Sequence, residues 1–219
     1  MKSLLSLPDS DVQVWPSYTD VAMNVILILL LYLFTQVVFA SQSMPCQQEI
    51  RQRMIAMRQV VEKAIPASLR ANVTITEDGN LQRFTFADRV LFDSGQAALK
   101  PSGIEILRTI GEVFKTRVGS FSQIQIEGHT DDRRIQVGFP SNWELSSARA
   151  TSVVRFLQDT SGLSPDLLSA NGYSQYKPVD TNLTDAGRAR NRRIEIVLVY
   201  STAKICGSAA TPASVPKPN

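Results

Sequence analysis

Asp131 and Arg149 are an acid and a base whose spacing allows them to face one ligand. Phe121-Ser-Gln-Ile-Gln-Ile-Glu127 alternates as a strand, and Gly128 to Ala150 reads GHTDDRRIQVGFPSNWELSSARA. Ser141 with Glu144 three residues later is a capping box, so a helix should start near Asn142 and run on through Leu157. Asp131 then lies at the carboxyl end of a strand and Arg149 about two turns into a helix. An acid and a base held this way can grip a zwitterion, carboxylate on ammonium and guanidinium on carboxylate.

Asp20 is a second candidate. No charged residue occurs between Val21 and Gln48, and Val21 to Ala40 is almost wholly apolar. Roughly 20 apolar residues span the ~30 Å hydrocarbon core, so residues 16–40 read as one transmembrane helix. Pro16 suits its first position, and Trp15 and Tyr18 suit a membrane interface. On that helix Ser17, Asp20, Asn24 and Thr35 fall within about 60° of one another. A polar stripe with one ionisable group faces protein or water rather than lipid, which makes Asp20 a functional candidate; an acid in a wetted first turn is the plainer reading. Val38-Phe39-Ala40 also fits a signal-peptidase site, but the apolar stretch is long and its leader acidic.

The chain has 219 residues, 20% of them charged and 43% hydrophobic, a folded composition with room for one domain and appendages. Three acids and one lysine lie before residue 46, leaving five surplus positive charges beyond it. A mildly basic domain suits an anionic polymer or simply a solvated surface. No charge run or basic–aromatic interleaving argues for nucleic acid. His129 is the one histidine, no nucleophile is placed with it by motif, and no glycine-rich phosphate loop occurs. The expectation is no enzyme, no cofactor and no metal, with His129 a structural residue at a strand end. Cys46 and Cys206 both follow the span, and in an oxidising compartment they can pair within one chain; interchain pairing and free thiols stay open.

Cys46 to Ile65 reads as a helix with an apolar seam at Ile50, Met54, Met57, Val61 and Ala64. The seam could pair two copies, lie on the membrane as a plug, or pack on the domain. Asn72–Ile75 and Leu81–Phe86 form a hairpin around Asp78-Gly79-Asn80, and Pro101 opens a helix to about Lys115. Leu168–Gly172 and Arg193–Tyr200 close a mixed sheet with helices on one face. The organisation expected is α+β: leader 1–15, membrane helix 16–40, helical linker 41–71, a βαβαβ domain 72–201 and a tail 202–219.

The block Gly128 to Ala150 resembles the signature of the OmpA-like peptidoglycan-binding domain, in a form like the MotB branch. Phe92-Asp-Ser-Gly resembles the family's first motif and Asn182 to Glu195 its last, so the likeness covers roughly residues 84–200. It implies that Asp131 and Arg149 hold the diaminopimelate of the wall peptide, with Asn142 and Arg193 further along the groove or serving as a cap and a salt-bridge partner. Tyr18-Thr-Asp20-Val-Ala-Met-Asn24 resembles the start of the MotB-type span, whose aspartate carries the coupling proton.

The resemblance implies an inner-membrane B subunit, dimeric, inserted into a ring of MotA/ZorA-like subunits (five A to two B) and anchored to peptidoglycan. Positive charge leans slightly against a cytoplasmic N-terminus, but a wall-binding domain must lie outside. Residues 16–65 as one helix would rise roughly 75 Å. So short and stiff a stalk, behind a leader with one lysine, resembles ZorB of the Zorya anti-phage system more than flagellar MotB. A non-conducting tether is the other class, and it would not need Asp20.

Overall fold

The computed structural model describes residues 15–66, 70, 72–135, 138–201 and 205. They form two compact units that divide between Gln47 and Gln48. The leader before Trp15, the side chain of Ser17, Cys206 and the tail beyond it lie outside the described residues.

Helix α1 runs from Trp15 to Ala64 and contributes to both units. In the first, the 22 residues Tyr18–Phe39 have a mean hydropathy of 2.3, and none is buried against protein. They rise about 33 Å, long and apolar enough to cross a membrane. Asp20 and Asn24 lie one turn apart and exposed. Thr35 needs no partner from outside, because its hydroxyl donates to the Tyr32 carbonyl at 2.7 Å.

In the second unit the apolar seam has found its surface. Ile50, Met54, Met57 and Val61 are buried. Gln82 donates to the Met54 carbonyl at 2.8 Å, and the Tyr200 hydroxyl donates to Gln82 at 2.9 Å. Arg58 pairs with Glu77 at 3.0 Å and Arg53 donates to the Gly119 carbonyl at 3.1 Å. Of the three destinations open to the seam, it is packing on the domain that the structure contains.

The sheet is built from β1 (Val73–Asp78), β2 (Leu81–Ala87), β3 (Gln123–His129), β4 (Leu168–Gly172) and β5 (Arg193–Val199) in the order β1-β2-β5-β3-β4. Only β3 and β4 pair in parallel, so the sheet is mixed as expected. Gly79, at φ 58°, opens the tight turn between β1 and β2. The helices are α2 (Asp88–Leu91), α3 (Pro101–Thr116), α4 (Asn142–Asp159) and α5 (Asp185–Asn191). The short α2 and α5 were not expected: four and seven residues are too few to carry a legible period.

Strand register divides the sheet into two chemically different faces. Phe84, Phe86, Ile124, Ile126, Ile194, Ile196 and Leu198 are in register on one face and fully buried. Phe114 of α3 meets Phe84 and Phe121 edge-on, with ring centroids 5.6 and 6.0 Å apart. The opposite face carries Arg83, Thr85, Glu127, His129, Arg193 and Glu195. Helix α4 lies very close: a Cβ on Gly128 would come within 2.2 Å of the Ser146 carbonyl oxygen, and one on Gly172 within 2.6 Å of the Ser147 nitrogen. Only glycine allows that approach, and the approach sets where Arg149 can reach.

Candidate ligand-binding site

Three strand ends meet at one end of the sheet. Arg193 at the start of β5 is in register with Ala87 at the end of β2 and with His129 at the end of β3. The residues just beyond, Asp88, Asp131 and Arg192, therefore converge. Helix α4 adds Arg149 from its third turn. Its start is fixed by Ser141, whose hydroxyl accepts from the Trp143 N–H at 3.1 Å and donates to Glu144 at 2.5 Å. The capping box read from the sequence is present.

Arg149 is 2% exposed, which is costly for a group that keeps its charge. Four neighbours answer that cost. Asp88 forms an ion pair with its Nη1 at 2.9 Å, without hydrogen-bond alignment. The Gln96 and Asp93 carbonyls accept from Nε and Nη2 at 2.8 and 3.4 Å. The Phe92 ring lies 5.2 Å from the guanidinium carbon. Burial pushes the Asp88 carboxyl up to about 6, against the pull of Arg149 and Arg192.

Asp131, 5% exposed, takes Arg192 at 2.5 Å on one carboxylate oxygen and the Arg133 N–H at 3.2 Å on the other. Asn142 donates to the Asp131 and Arg133 carbonyls at 3.2 and 3.0 Å, so it pins the loop that carries the acid. Arg193 turns away to Glu195 at 2.5 Å. All four residues expected in the groove line one cavity of about 1720 Å³, which also takes in Asp88, Arg192 and the polar face of the sheet. Asp20 belongs to the other unit. Cys46 is disulfide-bonded.

Sequence reading missed Asp88 and Arg192, the internal partners of the two charges. Arg192 adjoins Arg193 in the same motif, but it caps α5 one residue before β5 begins, and only the folded chain shows which of the two meets Asp131. With partners in place, the arrangement permits exchange. A ligand carboxylate can stand beside Arg149 in place of Asp88, an acid whose raised pKa makes loss of charge cheap. A ligand ammonium can take the place of Arg192, which is only half-buried.

Behind this pair lies a buried polar cluster. His129, 2% exposed, stacks on Tyr173 at 5.4 Å and stands 3.8 and 4.0 Å from the carboxylates of Glu127 and Glu195. Among the described residues neither ring nitrogen has a hydrogen-bond partner. These three residues are close enough together to hold a metal ion. Arg83 bridges both carboxylates at 3.2 and 3.0 Å, however, and Arg193 adds a second guanidinium, so their charge is balanced without one. Burial and the nearby Arg193 push His129 down to about 4. Burial alone would raise Glu195, but Arg193 holds it below the usual carboxylate range.

Residues 91–192 match the OmpA family, and the domain is OmpA-like. Motility protein B of Bacillus subtilis is 35% identical over 126 residues, 57% of this chain and 47% of its own length. A MotB-like protein from Desulfovibrio vulgaris superposes with a TM-score of 0.65 at 29% identity, over 72% of this chain and 94% of that one. The cell wall anchor of the T6SS from Pseudomonas aeruginosa does so with a TM-score of 0.57 at 30% identity, over 64% and 97%. The chain spans about half the length of the curated relatives it matches first.

The buried His129 gives a pH prediction. Its folded pKa of about 4 lies below the ordinary 6.5, so between those values the unfolded chain binds a proton that the folded chain does not. Stability from this residue is therefore full above pH 6.5 and falls as pH drops toward 4, by up to roughly 3 kcal/mol. Asp88 works the opposite way between about 6 and 3.8 and masks part of the slope. Urea unfolding of His129→Gln across this range should gain relative to the wild type as pH falls; a parallel pH dependence would mean that His129 is not held neutral.

Proposed function

We propose that the chain is the B subunit of an ion-driven inner-membrane stator, single-pass with its N-terminus in the cytoplasm. Its OmpA-like domain would hold peptidoglycan in the periplasm without cleaving it. The carrying observation is that Asp131 and Arg149 meet in one cavity of an OmpA-like domain that follows an apolar helix. Their opposite charges suit the amino acid end of a diaminopimelate side chain, ammonium on Asp131 and carboxylate on Arg149. Likeness to Motility protein B and to a cell wall anchor supports the same reading.

In this reading Asp20 is the ion-coupling group. A carboxylate in a dry helical bundle costs several kcal/mol when ionised, so its protonation can drive a change of packing. Among the described residues Asp20 has no ion pair, and its partners would come from a second copy and a ring of MotA/ZorA-like subunits, five to two. A short connection favours the ZorB-like, anti-phage version over the flagellar one: the apolar span and the buried seam that starts at Ile50 lie on one unbroken helix, α1. Cys46 and Cys206 pair within the chain in this reading.

The full-length protein in detergent should pull down with purified peptidoglycan and release no muropeptides from it. Asp131→Ala or Arg149→Ala should each weaken binding at least tenfold, because each leaves a ligand charge unmatched. Retained pull-down in both variants would put the site elsewhere, and muropeptide release would make the protein an enzyme.

Asp20→Asn keeps size and hydrogen bonding but carries no proton. It should abolish protection against phage, or motility if that is the role, while insertion and assembly persist. Full activity in the variant would leave the non-conducting tether as the better reading.

Non-reducing electrophoresis with thiol labelling should give a monomer without free thiols. A dimer band lost in Cys46→Ser would place the bond between subunits instead.

A further inference from the structure

Beside the cavity stands an aromatic pair that the charge grip does not use. Trp143 and Tyr176 stack with ring centroids 5.3 Å apart and planes at 28°, yet they are 46% and 64% exposed. Large rings left this open normally contact something. The pair is tied to the groove. Trp143 follows Asn142, whose amide reaches the Asp131 and Arg133 carbonyls and the Gln175 side chain at 3.4 Å. Tyr176 follows Gln175 and lines the cavity itself. Among the described residues neither the indole N–H nor the phenol hydroxyl bonds to protein.

We propose that Trp143 and Tyr176 form a platform for a sugar ring, so that the domain reads the glycan strand as well as the peptide attached to it. This rests on the wall-binding reading above and adds a second subsite to it. The axial C–H bonds of a pyranose make one face of the ring apolar, and its hydroxyls lie around the edge. A flat aromatic surface with donors at its margin matches both features: the rings cover the C–H face, while the indole N–H, the phenol and the Gln175 amide stand at the rim. Size points the same way. Two partly exposed rings are comparable with one or two sugar units, and far short of the roughly 800 Å² per partner that a stable protein interface uses. Continuity with the cavity then fixes the order along the ligand, with the peptide's charges at Asp131 and Arg149 and the sugar that bears the peptide on the ring pair.

The test uses the full-length protein in detergent and three probes: a disaccharide–tetrapeptide containing diaminopimelate, the free tetrapeptide, and the peptide-free disaccharide. Titration calorimetry should find the disaccharide–tetrapeptide binding about five- to tenfold tighter than the free tetrapeptide. Trp143→Leu should bring that ratio close to one and leave tetrapeptide affinity unchanged, and Tyr176→Leu should also lower the ratio; Trp143→Phe should keep most of it. The peptide-free disaccharide should change the fluorescence of the wild type and of Asp131→Asn, which keeps the side chain's shape, alike. A ratio untouched by the Leu variants overturns the proposal, as does a Trp143→Leu protein that turns from dimer to monomer, which would make a second copy the occupant. If no tetrapeptide binds but the disaccharide still changes the fluorescence, the charge-grip reading fails and the platform stands.

Discussion

A guanidinium that cannot give up its proton, buried at 2% exposure, constrains the domain more than any other group. Arg149 must find compensation from every side or the fold loses several kcal/mol. It finds it in α2 through Asp88, in the loop after α2 through the Asp93 and Gln96 carbonyls, and in the Phe92 ring. Its position in turn depends on Gly128 and Gly172, which let α4 lie almost on the backbone of β3 and β4. The site is thus a consequence of how closely one helix can approach one sheet.

The same sheet separates stability from recognition. One face is filled by Phe84, Ile126, Ile196 and their neighbours against the helices, where exclusion of water does the stabilising. The other face holds Arg83, Glu127, His129, Arg193 and Glu195, whose charges balance one another. A balanced polar network is stiff but adds little net stability, since desolvation offsets most of the attraction. It forms a polar floor to the cavity.

Arg149 and Asp131 each have a partner within the chain, Asp88 and Arg192. These partners neutralise both buried charges from within the fold. Under the proposed wall-binding reading, a zwitterion would replace both partners at once, whereas a simple anion or amine would replace one.

Much of this protein is legible in one dimension. An uninterrupted apolar stretch, a capping box, alternating strands and glycine turns are local signals, because each reflects a short-range geometric requirement. They marked the apolar helix, the strands of a mixed sheet and the start of α4, and they singled out Asp131 and Arg149, which the fold brings to one cavity. What the sequence left open depended on contacts between distant segments. The periodicity of Ile50, Met54, Met57 and Val61 is the same whether the partner is a second helix, a membrane or the sheet, and only packing decided for the sheet. Arg192 and Arg193 are chemically alike, and the junction where α5 ends and β5 begins turned one toward Asp131 and the other toward Glu195. Asp88 lies 61 residues before Arg149 and in no motif with it. Local sequence determines what an element is; which charge answers which is settled where the chain folds back on itself.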